Sequence, residues 1–248
     1  MTKKIMTPLD KAGPYVKACK KSKKPYRRYR KDFVYPMTDN IVYIRIPKNA
    51  SSSILAAERY QRRARDQKPR KDSRWGVNIE KADFSQIKWA LVLTRNPFDR
   101  TVSCYRNRMK GIGGRNKEVR KRMRPAFMSR IKTFPEFVEV VRNIPDDYAD
   151  EHYRSQSWFV EKIPSTTNIC YIDVSEISEK WPIVLDLLEW DKETSLPHRR
   201  NSRSDTEPLK RQKLINEYYK DERVIDMVRE RYKKDFELFG YSEEVSDY

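Results

Sequence analysis

One short segment of the chain carries the residue types that bind a phosphate group. It is a polar turn made of Lys48, Asn49, Ala50, Ser51, Ser52 and Ser53. The lysine supplies a positive charge, the small side chains let an anion approach the backbone, and the serine hydroxyls can donate hydrogen bonds. The glycine spacing of a Walker A loop is absent from this sequence. An anion-binding loop and a serine-rich helix cap are therefore the two interpretations.

A second polar turn begins with Arg95, which follows an apolar run and Thr94, and Ser103 lies within the next predicted helix. Arginine suits a phosphate ligand because its planar guanidinium can donate two parallel hydrogen bonds. The alternative is that Arg95 forms an ion pair with Asp99. Two such turns in one chain favour the ligand-binding interpretation more strongly than either turn does alone.

The elements that must position these turns alternate between strands and helices. Apolar runs rich in β-branched residues predict buried strands over 41–46, 87–93 and 169–173. Helical spacing predicts a helix over 53–65, and Asn96 followed by Pro97 is typical of the start of another. Further helices are predicted over 134–141, 153–160, 181–188, 209–220 and 222–239. We therefore expect one α/β domain, with a central parallel sheet flanked by helices and a ligand site at the carboxyl ends of its strands.

Positive charge is concentrated in two parts of the chain. The 248 residues include 54 Lys and Arg against 36 Asp and Glu, a net charge of +18. Residues 1–32 and residues 106–132 each carry a net charge of +10, so the remainder is nearly neutral. We expect a basic N-terminal segment over 1–36, with a composition compatible with disorder, and the α/β domain over 37–248. The basic stretch inside the domain favours a polyanionic ligand.

Composition also excludes several protein classes. No apolar run approaches the roughly 20 residues of a membrane span, and the N-terminus lacks the apolar region of a signal peptide. Three widely spaced Cys and two His indicate neither a disulfide framework nor a zinc site. The sequence therefore predicts a cytoplasmic protein without a membrane span and without a bound metal.

The two turns together resemble the sulfotransferase family. The first is similar to the 5′-phosphosulfate loop of that family, and the second, over 95–106, is similar to its 3′-phosphate motif. The segments over 151–156, 200–205 and 232–241 resemble the carbohydrate branch, which includes heparan 2-O- and chondroitin-type enzymes. The resemblance spans residues 41–241 and points to a soluble bacterial or viral member.

This resemblance implies a P-loop-like nucleotide site for the donor 3′-phosphoadenosine 5′-phosphosulfate (PAPS), with 3′-phosphoadenosine 5′-phosphate (PAP) as the product and no metal. Lys48 would stabilise charge on the bridging and leaving oxygens. The rest of the first turn would hold the 5′-phosphate, whereas Arg95 and Ser103 would hold the 3′-phosphate. Ser202 and Arg203 would clamp the cofactor. The sulfuryl group would then pass in line to an acceptor hydroxyl or amine.

The resemblance leaves the general base open. Family members use a Glu or a His, and some relatives place that His between the two turns. This chain has no His between residues 54 and 94. His152 is the first candidate, because it lies in the matching downstream segment. Glu80 and Asp83, between the two turns, are the alternatives, and Glu58 is a further one.

The predicted acceptor is an anionic or neutral carbohydrate. One rival interpretation is a nucleic-acid or polyanion-binding protein, which would use the basic tail and its tyrosines. Another is a sulfotransferase-like fold without catalysis. A nucleotide kinase is disfavoured because the sequence shows neither a glycine-rich loop nor an evident Mg²⁺-binding carboxylate.

Overall fold

The chain folds into two compact units. The sheet unit comprises residues 30–95 and 156–200, and the helical unit comprises residues 1–29, 96–155 and 201–248. Within these units, the computed structural model describes residues 10, 12–17, 32–65, 76–110, 128, 130–196 and 208–247. Among these residues, every helix is too short or too polar to cross a lipid bilayer.

The sheet unit is built on a mixed sheet. In the described part of the chain its strands are β1 (Asp32–Pro36), β2 (Ile41–Ile44), β3 (Val77–Asn78), β4 (Trp89–Thr94) and β5 (Asn168–Asp173). Their order across the sheet is β3-β1-β2-β4-β5. β4 pairs in parallel with both β2 and β5, and Trp89 lies opposite Ile41 on one side and Asn168 on the other. The carboxyl ends of these three strands therefore share one edge of the sheet.

The predicted parallel sheet is confirmed for β2, β4 and β5, but β1 pairs antiparallel with both of its neighbours. β1 falls within residues 1–36, which the composition assigned to a separate basic segment. Its Phe33, Val34 and Tyr35 are buried. Only residues 37–40 connect β1 to β2, and so short a connection permits an antiparallel hairpin but not a parallel crossover. The first strand of the sheet therefore lies before the predicted boundary.

The helices are distributed between the two units. The sheet unit contains α1 (Ser51–Ala64), α4 (Gln156–Val160) and α5 (Trp181–Leu187), and the helical unit contains α2 (Pro97–Tyr105), α3 (Phe134–Arg142), α6 (Pro208–Tyr218), α7 (Glu222–Arg231) and α8 (Lys233–Phe239). The predicted helix over 153–160 begins three residues later, because residues 151–153 form a turn. The predicted helix over 222–239 is divided at Tyr232, whose hydroxyl donates a hydrogen bond to the Tyr153 carbonyl at 2.8 Å.

One face of the sheet carries the core of the sheet unit. Side chains alternate between the two faces of a strand, and Tyr43, Leu91 and Ile172 belong to one buried cluster on one face. Ile54 of α1 and Val184 of α5 complete this cluster. Burial of this apolar face fixes α1, and with it the loop that precedes α1, against the strands.

The core of the helical unit is rich in aromatic rings. Phe98 of α2 lies 5.1 Å, between ring centroids, from both Tyr219 and Phe236. Tyr105, at the other end of α2, lies 5.4 Å from Phe134 of α3. Edge-on and tilted contacts of this kind add to the large apolar area that each ring buries. They hold α2, the helix that follows β4, at both of its ends.

Candidate active site

The loop between β2 and α1 has an unusual backbone. Lys48 has a φ of 77° and Ala50 a φ of 48°, and both values lie in the left-handed region. Residues with a Cβ adopt this region at a cost of roughly 1–2 kcal/mol each, and they cluster at functional sites. Backbones that change hand in this way direct N–H groups into a concavity that suits anions. This geometry therefore fits the predicted anion-binding loop.

The start of α1 completes this loop. Ala50 occupies the cap position, and its methyl side chain cannot accept hydrogen bonds from the first N–H groups of the helix. Ser51 and Ser52 are half-buried, and Ser53 is buried. The segment is thus not capped by a serine side chain, which was the alternative interpretation of its composition. The positive end of the helix dipole meets the loop that carries Lys48.

Arg95 links the two predicted turns. It directly follows β4, and its Nη1 donates a hydrogen bond to the Lys48 carbonyl oxygen at 2.8 Å. The structure thereby brings together the two residues, which lie 47 positions apart in the sequence. Asp99, the predicted alternative partner of Arg95, is buried and forms an ion pair with Arg211.

Two buried amide side chains join the loop to the end of β4. Asn49 and Gln156 are both 0% exposed. Asn49 Nδ2 donates to the Leu93 carbonyl oxygen at 2.7 Å and to Gln156 Oε1 at 2.6 Å. Gln156 Oε1 also accepts the Arg95 N–H at 3.0 Å, and Gln156 Nε2 donates to the Arg95 carbonyl oxygen at 2.7 Å.

Asn49 and Gln156 modify the predicted set of site residues. Because the Asn49 amide group donates within the protein, any contact of Asn49 with a phosphate falls to its backbone. Gln156 was not predicted as a site residue, although it lies in a segment with family resemblance. The sequence pattern alone gave no reason to connect Gln156 with residues that precede it by 61 and 107 positions.

The start of α2 follows the prediction. Asn96 Oδ1 accepts a hydrogen bond from the Phe98 N–H at 2.8 Å, and Pro97 occupies the first turn. Ser103 is half-buried on the same helix. It belongs to the helical unit, whereas Arg95 belongs to the sheet unit. A shared role of Arg95 and Ser103 at one phosphate stays a prediction.

His152 is oriented by a buried carboxylate. Its Nδ1 lies 2.8 Å from Asp150 Oδ1, and its backbone N–H donates to the same oxygen at 2.8 Å. Glu151 Oε1 lies 3.6 Å from Nδ1. The His152 side chain is 16% exposed, so the ring is only partly buried. When Nδ1 carries the proton of the neutral ring, Nε2 has a lone pair that can accept one.

The segment around His152 is supported by charged side chains. Arg154 Nε donates to the Asp146 carbonyl oxygen at 2.7 Å, and Arg100 Nη1 donates to the Arg154 carbonyl oxygen at 2.7 Å. Arg231, at the end of α7, forms an ion pair with the Asp146 carboxylate. Burial alone raises the pKa of Asp146, but the Arg231 charge and hydrogen bonds from Arg231 and Ser155 outweigh it and lower that pKa.

The sequence that builds these elements matches a known family of enzymes. The family model described as the sulfotransferase family matches residues 31–242 of the chain, from just before β1 to just after α8. The chain belongs to the sulfotransferase family. Comparisons with curated proteins and with solved structures gave no match. Family members transfer a sulfuryl group and generally use PAPS, so membership supports a transferase.

In this sulfotransferase, one predicted base lies at the sheet edge that carries the loop between β2 and α1. β3 and β2 run in the same direction, because both are antiparallel to β1. Glu80 follows β3 and is exposed. β3 and β2 are separated by β1, so their carboxyl ends lie about 10 Å apart along this edge. Its N–H donates to Asn78 Oδ1 at 3.1 Å.

The remaining candidates differ in exposure. Asp83 is exposed, and hydrogen bonds from Ser85, chiefly from its backbone N–H, lower the pKa of Asp83. Glu58 is buried on α1 and forms an ion pair with Arg62. The predicted clamp residues Ser202 and Arg203 lie outside the described residues, as does most of the basic stretch over 106–132.

Proposed function

We propose that this sulfotransferase uses PAPS as its donor and a carbohydrate hydroxyl or amine as its acceptor. The observation that carries this proposal is the 2.8 Å hydrogen bond from Arg95 to the Lys48 carbonyl oxygen, within a loop that has two left-handed residues. Two cations and the start of a helix at one sheet edge suit a ligand that carries more than one anionic group.

The residues present fit such a donor. Lys48, the first N–H groups of α1 and the hydroxyls of Ser51, Ser52 and Ser53 would hold the 5′-phosphate. Arg95 and Ser103 would hold the 3′-phosphate, the group that distinguishes PAPS from ATP. Ser202 and Arg203 would cover the bound cofactor. When bound, PAPS supplies a sulfuryl group that leaves its 5′-phosphate as the acceptor attacks the sulfur atom.

The protein's own contribution to the chemistry is charge and a base. The Lys48 ammonium would stabilise negative charge that grows on the leaving phosphate. His152, with its Nδ1–H held by Asp150, would accept the acceptor's proton at Nε2. Asp83 is a weaker base than an ordinary carboxylate, because its pKa is lowered. Glu80 and Asp83 are the alternatives to His152.

Charge supports a carbohydrate acceptor. The chain has a net charge of +18, and part of that charge lies over 106–132, inside the family-matched region. A basic surface raises the local concentration of an anionic polymer and accelerates its encounter with the protein. A screen with labelled PAPS and heparan, chondroitin and neutral oligosaccharide acceptors tests this half of the proposal. Transfer to none of these glycans would overturn the acceptor assignment.

Calorimetry in metal-free buffer tests the donor half. Dissociation constants for PAP, 5′-AMP and ATP are compared for wild type, for Arg95→Ala and for Arg142→Ala. Wild type should prefer PAP, and Arg95→Ala should lose about tenfold or more of that preference. Arg142, exposed on α3, is the matched control and should bind as wild type does. Equal affinity of wild type for PAP and 5′-AMP would overturn the proposal and favour a polyanion-binding protein.

A further inference from the structure

We propose that Gln156 is a positioning residue that makes the phosphate loop and Arg95 one preorganised unit. This inference rests on the proposed function, since Arg95 and Lys48 are there assigned to the phosphates of PAPS. Gln156 itself would touch neither the donor nor the acceptor. It would act through the backbone of Arg95 and through the side chain of Asn49.

Gln156 forms hydrogen bonds with both backbone polar groups of Arg95. Its Oε1 accepts the Arg95 N–H at 3.0 Å, and its Nε2 donates to the Arg95 carbonyl oxygen at 2.7 Å. An amide side chain that bonds to both the N–H and the C=O of one residue fixes the orientation of that residue's backbone. Arg95 therefore leaves β4 in a defined direction.

The contacts then form a closed ring. Gln156 Oε1 accepts a hydrogen bond from Asn49 Nδ2 at 2.6 Å, and Asn49 directly follows Lys48 in the loop. The Arg95 guanidinium returns to the Lys48 carbonyl oxygen at 2.8 Å. The ring thus runs from Gln156 to Arg95, to Lys48, to Asn49 and back to Gln156. It includes Lys48 and Asn49, and Ala50, the second left-handed residue of the loop, follows directly after Asn49.

Burial makes this ring costly to open. Gln156 and Asn49 are both 0% exposed, so water cannot replace a lost partner without a local rearrangement. A buried amide or carbonyl that loses its hydrogen bond is destabilised by its desolvation. The ring contacts the Lys48 carbonyl oxygen and the Asn49 side chain, on either side of the Lys48–Asn49 peptide bond. Left-handed residues such as Lys48 persist where surrounding contacts hold them.

A double-mutant cycle on ligand binding tests the coupling. Gln156→Met, Arg95→Ala and the double variant are titrated with PAP and with 5′-AMP, and thermal melting reports folding. Gln156→Met should lose about tenfold of the preference for PAP, and the same change should have little further effect in the Arg95→Ala background. Gln212→Met, a glutamine of α6, is the matched control and should keep the preference.

Gln156→Glu offers a second test that keeps the side-chain shape. Its carboxylate would face the Arg95 carbonyl oxygen without a proton to donate, so PAP binding should weaken at pH 8. Burial raises the pKa of a carboxyl group, and a protonated carboxyl can donate in place of Nε2. The ratio of variant to wild-type affinity should therefore recover on acidification to about pH 5.5, whereas that ratio for Gln156→Met should not change.

The outcomes separate this inference from the proposed function. If wild type shows no preference for PAP, the proposed function fails. If wild type has the preference and Arg95→Ala loses it, but Gln156→Met keeps it, only the role of Gln156 is overturned. Additive effects of Gln156→Met and Arg95→Ala would likewise overturn it, since independent sites add. If Gln156→Met does not fold, the pH dependence of Gln156→Glu decides.

Discussion

The Asp150 carboxylate holds His152 in one orientation by two hydrogen bonds to the same oxygen. Oδ1 accepts from the backbone N–H of His152 and lies 2.8 Å from its Nδ1. Because one contact fixes the backbone and the other the ring, the direction of Nε2 is determined before any ligand binds. Preorganisation of this kind is what a general base requires, since proton transfer depends first on geometry.

Substitution of His152 should separate chemistry from donor binding. We expect His152→Ala to lower the rate of sulfuryl transfer by about 10²- to 10⁴-fold while the affinity for PAP stays close to wild type. Asp150→Asn should lower the rate in the same direction, because the imidazolium that forms on proton transfer loses the negative charge beside Nδ1. Rates are measured with labelled PAPS and the acceptor that the glycan screen provides.

Asp147→Asn is the control for the Asp150 substitution, because Asp147 is exposed in the same segment. It should leave the transfer rate unchanged. Full activity of His152→Ala would remove His152 from the mechanism, and the same measurement on Glu80→Gln and Asp83→Asn would then identify the base.

At the level of secondary structure elements, the connection between β2 and α1 contains two residues with a strained backbone. Lys48 and Ala50 are left-handed although neither is a glycine. The same conformation occurs at Glu189, with φ 52°, an exposed residue in the turn that follows α5. Glu189 lies outside the β2–α1 loop. A substitution there therefore measures the cost of a left-handed residue to stability alone, whereas a substitution at Ala50 also measures its effect on ligand binding.

Glycine substitutions should affect these two positions differently. Glycine removes the steric cost of φ > 0, which stabilises the folded chain, but it also adds conformational entropy to the unfolded chain. Because these effects oppose each other, Ala50→Gly and Glu189→Gly should each change the free energy of unfolding by no more than about 1 kcal/mol. Only Ala50→Gly should weaken PAP binding, because it loosens the loop. Urea unfolding and calorimetry provide the two measurements. Equal PAP affinity for both variants and wild type would show that the loop conformation contributes nothing to binding.

At the scale of the whole chain, partly buried charges join segments that lie far apart in the sequence. Arg231 and Asp146 are separated by 85 residues, and their ion pair ties the end of α7 to the segment that carries His152. Tyr232 adds a hydrogen bond to the Tyr153 carbonyl oxygen. The last helices of the chain therefore support a turn near its middle, so truncation of α7 would disturb that turn.

The lowered pKa of Asp146 makes this support dependent on pH. Its carboxyl has a lower pKa in the folded chain than the usual value near 3.9, so it stabilises the fold above about pH 4. This stabilisation is lost as the pH falls through the lowered folded pKa. Asp146→Asn should cost about 1–2 kcal/mol at pH 7, and the difference from wild type should shrink below pH 4.

Urea unfolding at several pH values measures this effect. Asp39→Asn, an exposed position between β1 and β2, is the control and should follow wild type at each pH. A difference between Asp146→Asn and wild type that is the same at pH 7 and pH 3 would show that the ion pair with Arg231 does not carry the stabilisation.

Local patterns in the sequence determined the parts of this protein that depend on neighbouring residues. The β-branched run before Pro47 predicted β2, and the Asn96–Pro97 pair predicted the start of α2, where Asn96 accepts from the Phe98 N–H. The lysine-serine turn and the arginine turn, in this order, carried the resemblance to the sulfotransferase family. Such features can be predicted from the sequence because strand alternation, helix caps and apolar runs depend on residues only a few positions apart.

Tertiary structure decided the features that depend on residues far apart in the chain. Lys48 and Ala50 are left-handed although neither is a glycine, so the sequence did not predict this backbone. The short run that forms β1 was assigned to the basic N-terminal segment and was not predicted as a strand. The partners of Gln156 lie 61 and 107 positions away, so no spacing rule could connect them. Buried polar groups must find partners wherever the fold brings them, and the distribution of those partners is a property of the folded chain.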